Sequence, residues 1–313
     1  MVDFAPWLDC FDAQNRSYSA QRLAGCHQGD YQLDLLYSND VQKRLDQHAE
    51  EIAPQYAKQD PFPHAVIDDF LPPELLEPIL EQFPKPGDLK WEEFADEQHR
   101  KLAFANAEEL NPASRDFLHF MNTSIILRFL EQMTGIEGLI PDPWYVGGGL
   151  HQIVPGGELG VHADFNYSTR LKLDRRLNLL IYLNKDWEEE YGGHLELWDR
   201  DMKHCVKKVL PVFNRCVVFS TTSYSFHGHP EPLTCPEGAS RKSIALYYYT
   251  NGRPEEEKEA AHSTLFKLRP GETLADGSTP EGLPPKYGTG LKGLVRAMTP
   301  PLILDALRAF RGK

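Results

Sequence analysis

The chain is 313 residues long, 41% hydrophobic and 25% charged, and its 33 basic against 46 acidic side chains leave a formal charge of −13. That length is ample for a full hydrophobic core. The acidic balance argues against nonspecific nucleic-acid binding, which needs a basic face to neutralise phosphate, but it leaves room for a small anion held by one or two local arginines.

Met1 to Cys10 carry neither the basic n-region nor the apolar h-region of a signal peptide. No apolar run approaches the ~20 residues of a membrane span. Cys10, Cys26, Cys205, Cys216 and Cys235 include no CxxC pair. Neither a disulfide framework nor a zinc knuckle is indicated, so the compartment expected is a reducing, cytoplasmic one.

Residues 1–60 form an N-terminal extension containing one helix, Asn39 to Tyr56, with Asn39 as a possible cap and Val41, Leu45, His48 and Ile52 at helical spacing. A short extended piece follows around Ala65 to Ile67. A second helix opens at Pro72-Pro-Glu and buries Leu75, Leu76, Ile79, Leu80 and Phe83; proline suits a first turn because its missing N–H would have had no partner there. Pro84 to Asn106 reads as an irregular excursion with one strand at most. Ala113 to Met133 reads as a single helix with the stripe Phe117, Met121, Ile125 and Phe129, and Gly135 as its C-cap.

Beyond Pro141 the period changes. Gly149–Val154, Leu159–His162, Leu177–Leu183, His194–Trp198, Cys216–Phe219 and Ser243–Tyr249 are short apolar runs separated by turn residues. That spacing predicts a β-sandwich or jelly roll. The expected fold is α+β, a double-stranded β-helix (jelly roll) core with supporting N-terminal helices. Residues 61–250 form the main domain, with the jelly roll at about 143–250. Residues 251–313 form a charged, Gly/Pro-rich extension that ends in a helix from Thr299.

Four His-x-acidic matches occur, His48-Ala-Glu50, His162-Ala-Asp164, His194-Leu-Glu196 and His229-Pro-Glu231, where chance alone predicts roughly two. Only His162-Ala-Asp164 follows a glycine-rich turn and a β-like run and precedes several more strands. Residues two apart on a strand share a face, so His162 and Asp164 can chelate one ion. His48 and Glu50 lie in a helix, where that spacing diverges. His194 and Glu196 read as a solvent-facing pair.

The ordered series Pro155-Gly-Gly-Glu-Leu-Gly-Val-His162-Ala-Asp164, Arg176-Leu-Asn-Leu-Leu-Ile-Tyr-Leu-Asn-Lys-Asp-Trp187, Gly192-Gly-His-Leu-Glu-Leu, Val217-Val-Phe-Ser, Phe226-His227-Gly and Ser240-Arg-Lys-Ser-Ile-Ala-Leu-Tyr resembles the Fe(II)- and 2-oxoglutarate-dependent dioxygenases, in their prolyl-4-hydroxylase-like branch. The resemblance covers about residues 145–250. It implies iron ligands at His162, Asp164 and a distal histidine. His227 is preferred, at the family-like distance beyond the Val-Val-Phe strand, and His229 is the alternative. The loop Pro230–Ser240 departs from the pattern by its length.

The resemblance further implies that Arg241 binds the far carboxylate of 2-oxoglutarate, a role for which a planar, permanently charged fork is suited. Tyr182 and Ser243 are candidates to add hydroxyls. It also implies the reaction: with O2, 2-oxoglutarate is decarboxylated to succinate and an unactivated C–H bond is hydroxylated. A carboxylate at position 164 leaves no vacancy for halide, which favours hydroxylation over halogenation. Two rivals stand beside this reading. One is a cupin-like metal protein that does not use 2-oxoglutarate; the other is a non-catalytic jelly-roll binding domain. The substrate is open between a small molecule, a carrier-tethered intermediate and a peptidyl side chain. Tyr145, His151, Asn166, Tyr167 and Trp198 are candidates for the mouth.

Overall fold

In a computed structural model the chain divides into two compact units, Met1–Phe266 and Lys267–Lys313. Residues 33–88, 91–96 and 99–272 are described below; the predicted helix from Thr299 lies outside them. Of the second unit only 267–272 is described, where a turn is closed by Glu272 N–H donating to Arg269 O at 3.0 Å.

In the first unit, helix α1 spans Asn39–Tyr56. Its N-cap is Ser38 rather than Asn39, because the Ser38 hydroxyl reaches back to accept from Val41 N–H at 3.3 Å. Strand β1 (His64–Ile67) and helix α2 (Pro73–Glu81) follow as read from the sequence. The excursion after Pro84 instead contains two paired strands, β2 (Glu92–Asp96) and β3 (His99–Phe104).

The single helix expected over Ala113 to Met133 is two, α3 (Pro112–Met121) and α4 (Ser124–Thr134). Asn122 and Thr123 break it. Thr123 leaves helical geometry and donates its hydroxyl to Phe120 O at 2.7 Å, while the Asn122 amide donates to Asp142 O and Tyr145 Oη. Short polar side chains compete for backbone partners, and here that competition wins. Gly135 ends α4 at φ 72°, the left-handed cap that glycine adopts without strain.

Strands β4 (Ile140–Pro141), β5 (Gly149–Ile153), β6 (Leu159–Ala163), β7 (Tyr167–Ser168), β8 (Leu173–Tyr182), β9 (Leu195–Trp198), β10 (Cys205–Val209), β11 (Cys216–Ser220), β12 (His227–His229), β13 (Arg241–Thr250) and β14 (Leu265–Phe266) complete the unit. Their order is β1-β11-β8-β13-β5-β3-β6-β12-β9-β10, with β14 on β6, β2 on β3, β4 on β13 and β7 on β8. The molecule is thus a mixed helix and antiparallel-sheet structure. Among the described residues no helix is long and apolar enough to cross a membrane.

The two-residue period of the central strands decides which side faces what. Leu177, Leu179 and Ile181 of β8, Cys216 and Val218 of β11, and Ile244, Leu246 and Tyr248 of β13 join Phe117, Phe129 and Leu76 of the helices in one buried cluster. Each large apolar side chain buried there contributes about 1.5–3 kcal/mol. The intervening residues Asn178, Leu180, Phe219, Arg241, Ser243 and Tyr247 point the other way and line a cavity. The helices therefore cover one face of these strands, and the opposite face is left to hold a site.

Candidate metal centre

His162 lies on β6, and β12 pairs with it antiparallel in a register that sets His227 directly opposite His162. Opposite residues share a face, so the two imidazoles meet, with ring centroids 4.5 Å apart. Asp164 follows two residues after His162 and turns its carboxylate between them. Its Oδ1 lies 3.7 Å from His162 Nε2 and its Oδ2 lies 3.4 Å from His227 Nε2.

The ring tautomers follow from the outer nitrogens. His162 Nδ1 sits 2.8 Å from Gly160 O and His227 Nδ1 sits 2.9 Å from Ser225 O. A carbonyl oxygen only accepts, so each Nδ1 donates and each Nε2 presents a lone pair inward. Two neutral imidazoles and one carboxylate are a ligand set for a divalent transition metal, the face used by non-haem Fe(II) sites. The 3.7 Å between His162 Nε2 and Asp164 Oδ1 fits that use, since two bonds of about 2.1 Å span up to about 4.2 Å. All three residues are buried, and their donor atoms lie within 4.8 Å of one another. Phe219 packs 4.6 Å from the His227 ring and Phe266 packs 5.1 Å from the His162 ring, walling the cluster with apolar surface.

Asp164 is held by groups that the sequence reading passed over. Arg175 Nη2 donates to its Oδ2 at 3.0 Å and Asn178 Nδ2 donates to the same oxygen at 2.6 Å. Burial alone would push this carboxyl up. The Arg175 guanidinium leads the groups that outweigh burial, and the carboxyl is held well below the usual carboxylate range. Arg175 is itself buried, its guanidinium 3.5 Å from the centre of the Tyr247 ring.

Arg241 opens β13 at the other end of the cavity. Its Nε donates to Gly193 O at 2.8 Å and its Nη2 to Tyr182 Oη at 3.3 Å. Burial raises the Tyr182 phenol while the neighbouring guanidinium pulls it the other way. Ser243 is the ladder partner of Tyr182 and lines the same cavity as Arg241. Gly193, at φ 70°, has to be glycine: a Cβ there would come within 2.9 Å of Arg241 Cδ. Four residues of β8, about 13 Å of strand, separate Asn178 at the carboxylate from Tyr182 at the guanidinium. The cavity thus has a metal-ligand cluster at one end and a cationic head at the other.

The remaining sequence expectations divide. His229 also lines the cavity but stands outside the three-residue donor cluster. Of the mouth candidates, His151 lines the cavity. Tyr145 packs instead with the helices, Trp198 packs in a separate apolar cluster, and Asn166 binds Ala260 O and His262 N–H. Of the His194/Glu196 pair, His194 is partly exposed, but Glu196 is buried on the face of β9 opposite the cavity-lining Leu195, where it accepts from Trp198 Nε1 at 3.0 Å and Lys208 Nζ at 2.8 Å. Helix α1 carries His48 and Glu50, as expected.

Residues 148–249 match the model of the 2OG-Fe(II) oxygenase superfamily. A mouse protein named prolyl 3-hydroxylase OGFOD1 is 37% identical over 79 residues, which are 24% of this chain and 14% of that relative's length. A Pseudomonas putida prolyl-4-hydroxylase structure aligns with TM-score 0.47 and 20% identity over 65% of this chain and 100% of its own. A Trichoplax adhaerens prolyl hydroxylase, solved with a hypoxia inducible factor peptide fragment, aligns with TM-score 0.49 and 16% identity over 69% and 95%. Residues 148–249 are thus similar to the 2OG-Fe(II) oxygenase superfamily, and a protein named as a prolyl 3-hydroxylase is among the sequence relatives.

Proposed function

We propose that the protein is an Fe(II)- and 2-oxoglutarate-dependent oxygenase that hydroxylates an unactivated C–H bond and releases succinate and CO2. The observation that carries this reading is the placement of His162, Asp164 and His227 at one end of a cavity whose other end is lined by Arg241, which donates to Tyr182 behind it. We read the sheet as the double-stranded β-helix of that superfamily, with 61–250 as the oxygenase domain and 1–60 and 251–313 as extensions.

His162, Asp164 and His227 would hold the metal on one face. Fe(II) with 2-oxoglutarate and O2 supplies the oxidising chemistry; the protein supplies position and exclusion. Arg241 anchors the far carboxylate of the cosubstrate through a charge-assisted contact, with the Tyr182 phenol and the Ser243 hydroxyl beside it. Phe219 and Phe266 keep water from the histidine faces. A cupin-like metal protein would leave the buried Arg241–Tyr182 pair without a role, and a binding domain would not require three converging metal donors.

The relative named as a prolyl 3-hydroxylase makes a peptidyl substrate the first class to try, ahead of small-molecule and carrier-tethered ones. Cytoplasmic residence fits the cysteine content. The test is succinate formation from 2-oxoglutarate with Fe(II) and O2, screened against proline-containing peptides and against small molecules. Succinate above the His162→Ala background, stimulated by one class, is expected. Succinate no higher than in His162→Ala under every condition would overturn the reading.

A further inference from the structure

We infer that Arg175, together with Asn178, is a positioning pair that fixes the Asp164 carboxylate so that it offers a metal one oxygen, Oδ1, and withholds the other. The inference rests on the metal-site reading above and concerns side chains which that reading does not use.

An ionised carboxylate has two oxygens and about four lone-pair sites, and donates nothing. At Asp164 both donors converge on Oδ2: Arg175 Nη2 at 3.0 Å and Asn178 Nδ2 at 2.6 Å. The two donors are also tied to each other, since Asn178 Oδ1 accepts from Arg175 Nε at 2.9 Å and Nη2 at 2.6 Å. The amide orientation is fixed by this ring of contacts, because the guanidinium only donates and the carboxylate only accepts. Thr221 Oγ1 approaches Asn178 Oδ1 at 3.5 Å and closes the back of the group. Rotating the carboxylate would break both bonds to Oδ2 at once.

A guanidinium beside a metal ligand has a cost, since it repels a divalent cation. The fold answers by making Arg175 immovable. Its charge lies 3.5 Å from the Tyr247 ring centre and 4.5 Å from that of Phe165, both within cation–π range. Its N–H donates to Asn166 O at 2.9 Å, and its carbonyl accepts from the Arg253 guanidinium. It therefore stays on Oδ2, and it is not among the residues that line the cavity. The consequence is a carboxylate that takes one coordination position, where a two-oxygen grip would take two and close one needed for cosubstrate or O2.

The test uses Co(II), whose visible d–d bands report both occupancy and geometry, titrated into the purified metal-free full chain. Wild type, Arg175→Met, Arg175→Lys, Asn178→Ala and His162→Ala are compared, with circular dichroism and Tm as the fold check. Arg175→Met is expected to bind Co(II) about 10–100-fold more weakly and with altered band intensity and position. Arg175→Lys, which keeps the charge and loses the fork, should fall between it and wild type. A purely structural Arg175 would lower Tm and leave the bands of the folded protein where they are.

Wild-type affinity and bands in folded Arg175→Met would overturn the inference while His162→Ala, having lost Co(II), upholds the metal site. Retained Co(II) in His162→Ala would remove the metal site and this inference with it. If Arg175→Met does not fold, Asn178→Ala decides: weaker binding with changed bands supports the pair, and unchanged binding overturns it.

Discussion

His162 and His227 face each other across the β6–β12 ladder, and that single register brings two distant parts of the chain to one point. The ladder in turn depends on Gly228. A Cβ at that position would lie 2.8 Å from the carbonyl oxygens of both Leu159 and Gly160, which are backbone atoms of β6 and cannot step aside.

Gly228→Ala should therefore push β12 away from β6 and part the two imidazoles. The expected result is a loss of about 1–3 kcal/mol of stability, the usual cost of overpacking, together with weakened metal binding. Gly87, which has nothing within 4 Å of its would-be Cβ, is the control. Denaturant unfolding and metal titration on Gly228→Ala and Gly87→Ala check this; equal behaviour of the two would contradict it.

Removing a ligand should remove the metal and spare the fold. His162→Ala and Asp164→Ala are expected to lose stoichiometric Fe(II) with little change in Tm, and His227→Ala to lose more than His229→Ala. Elemental analysis after anaerobic loading reads the order. Greater loss in His229→Ala would make His229 the third ligand.

At the far end of the cavity, Arg241→Ala should keep iron and raise the 2-oxoglutarate requirement by about 10–100-fold, since a charged hydrogen bond is worth about 1.5–3 kcal/mol. Tyr182→Phe should raise it by no more than about tenfold, the value of one neutral contact. Equilibrium titration of 2-oxoglutarate under nitrogen measures both. An unchanged requirement in Arg241→Ala would place the carboxylate elsewhere.

Burial, and after it the neighbouring Asp142, pushes the Tyr145 phenol up to about 12; burial likewise pushes Tyr247 up to about 12. In the unfolded chain a tyrosine ionises near 10. Folded-state pKa values raised in this way give stability that is complete below pH ~10 and lost as pH climbs through about 12. Tm should fall across that window, and Tyr145→Phe should flatten the fall. A Tm slope identical in wild type and Tyr145→Phe would show that Tyr145 does not contribute.

Much of this was legible from period and spacing. The alternation of β8, β11 and β13 separates helix-facing from cavity-facing residues, and His162-Ala-Asp164 sits where a strand pair can chelate. What local pattern could not supply came from tertiary contact. The break at Asn122-Thr123 is made by hydrogen bonds to Asp142 and Tyr145, and an apolar stripe alone does not register them. Strand β12 is only three residues long and reads as a turn until β6 and β9 flank it. Glu196 looked solvent-facing because its charged partner, Lys208, is set by the β9–β10 pairing. Asn178 carried one signal, an amide inside the apolar run Leu177–Tyr182, while Arg175 sits in the charged run Asp174-Arg-Arg, and their target lies on another segment.

The central claim is that one cavity binds Fe(II) and 2-oxoglutarate together, and an anaerobic titration with Fe(II) and then 2-oxoglutarate tests it most directly. A weak visible charge-transfer band that needs both components and is absent in Arg241→Ala is the predicted result. Iron binding without the band would point to a metal site that does not use 2-oxoglutarate, and no iron binding at all would contradict the account.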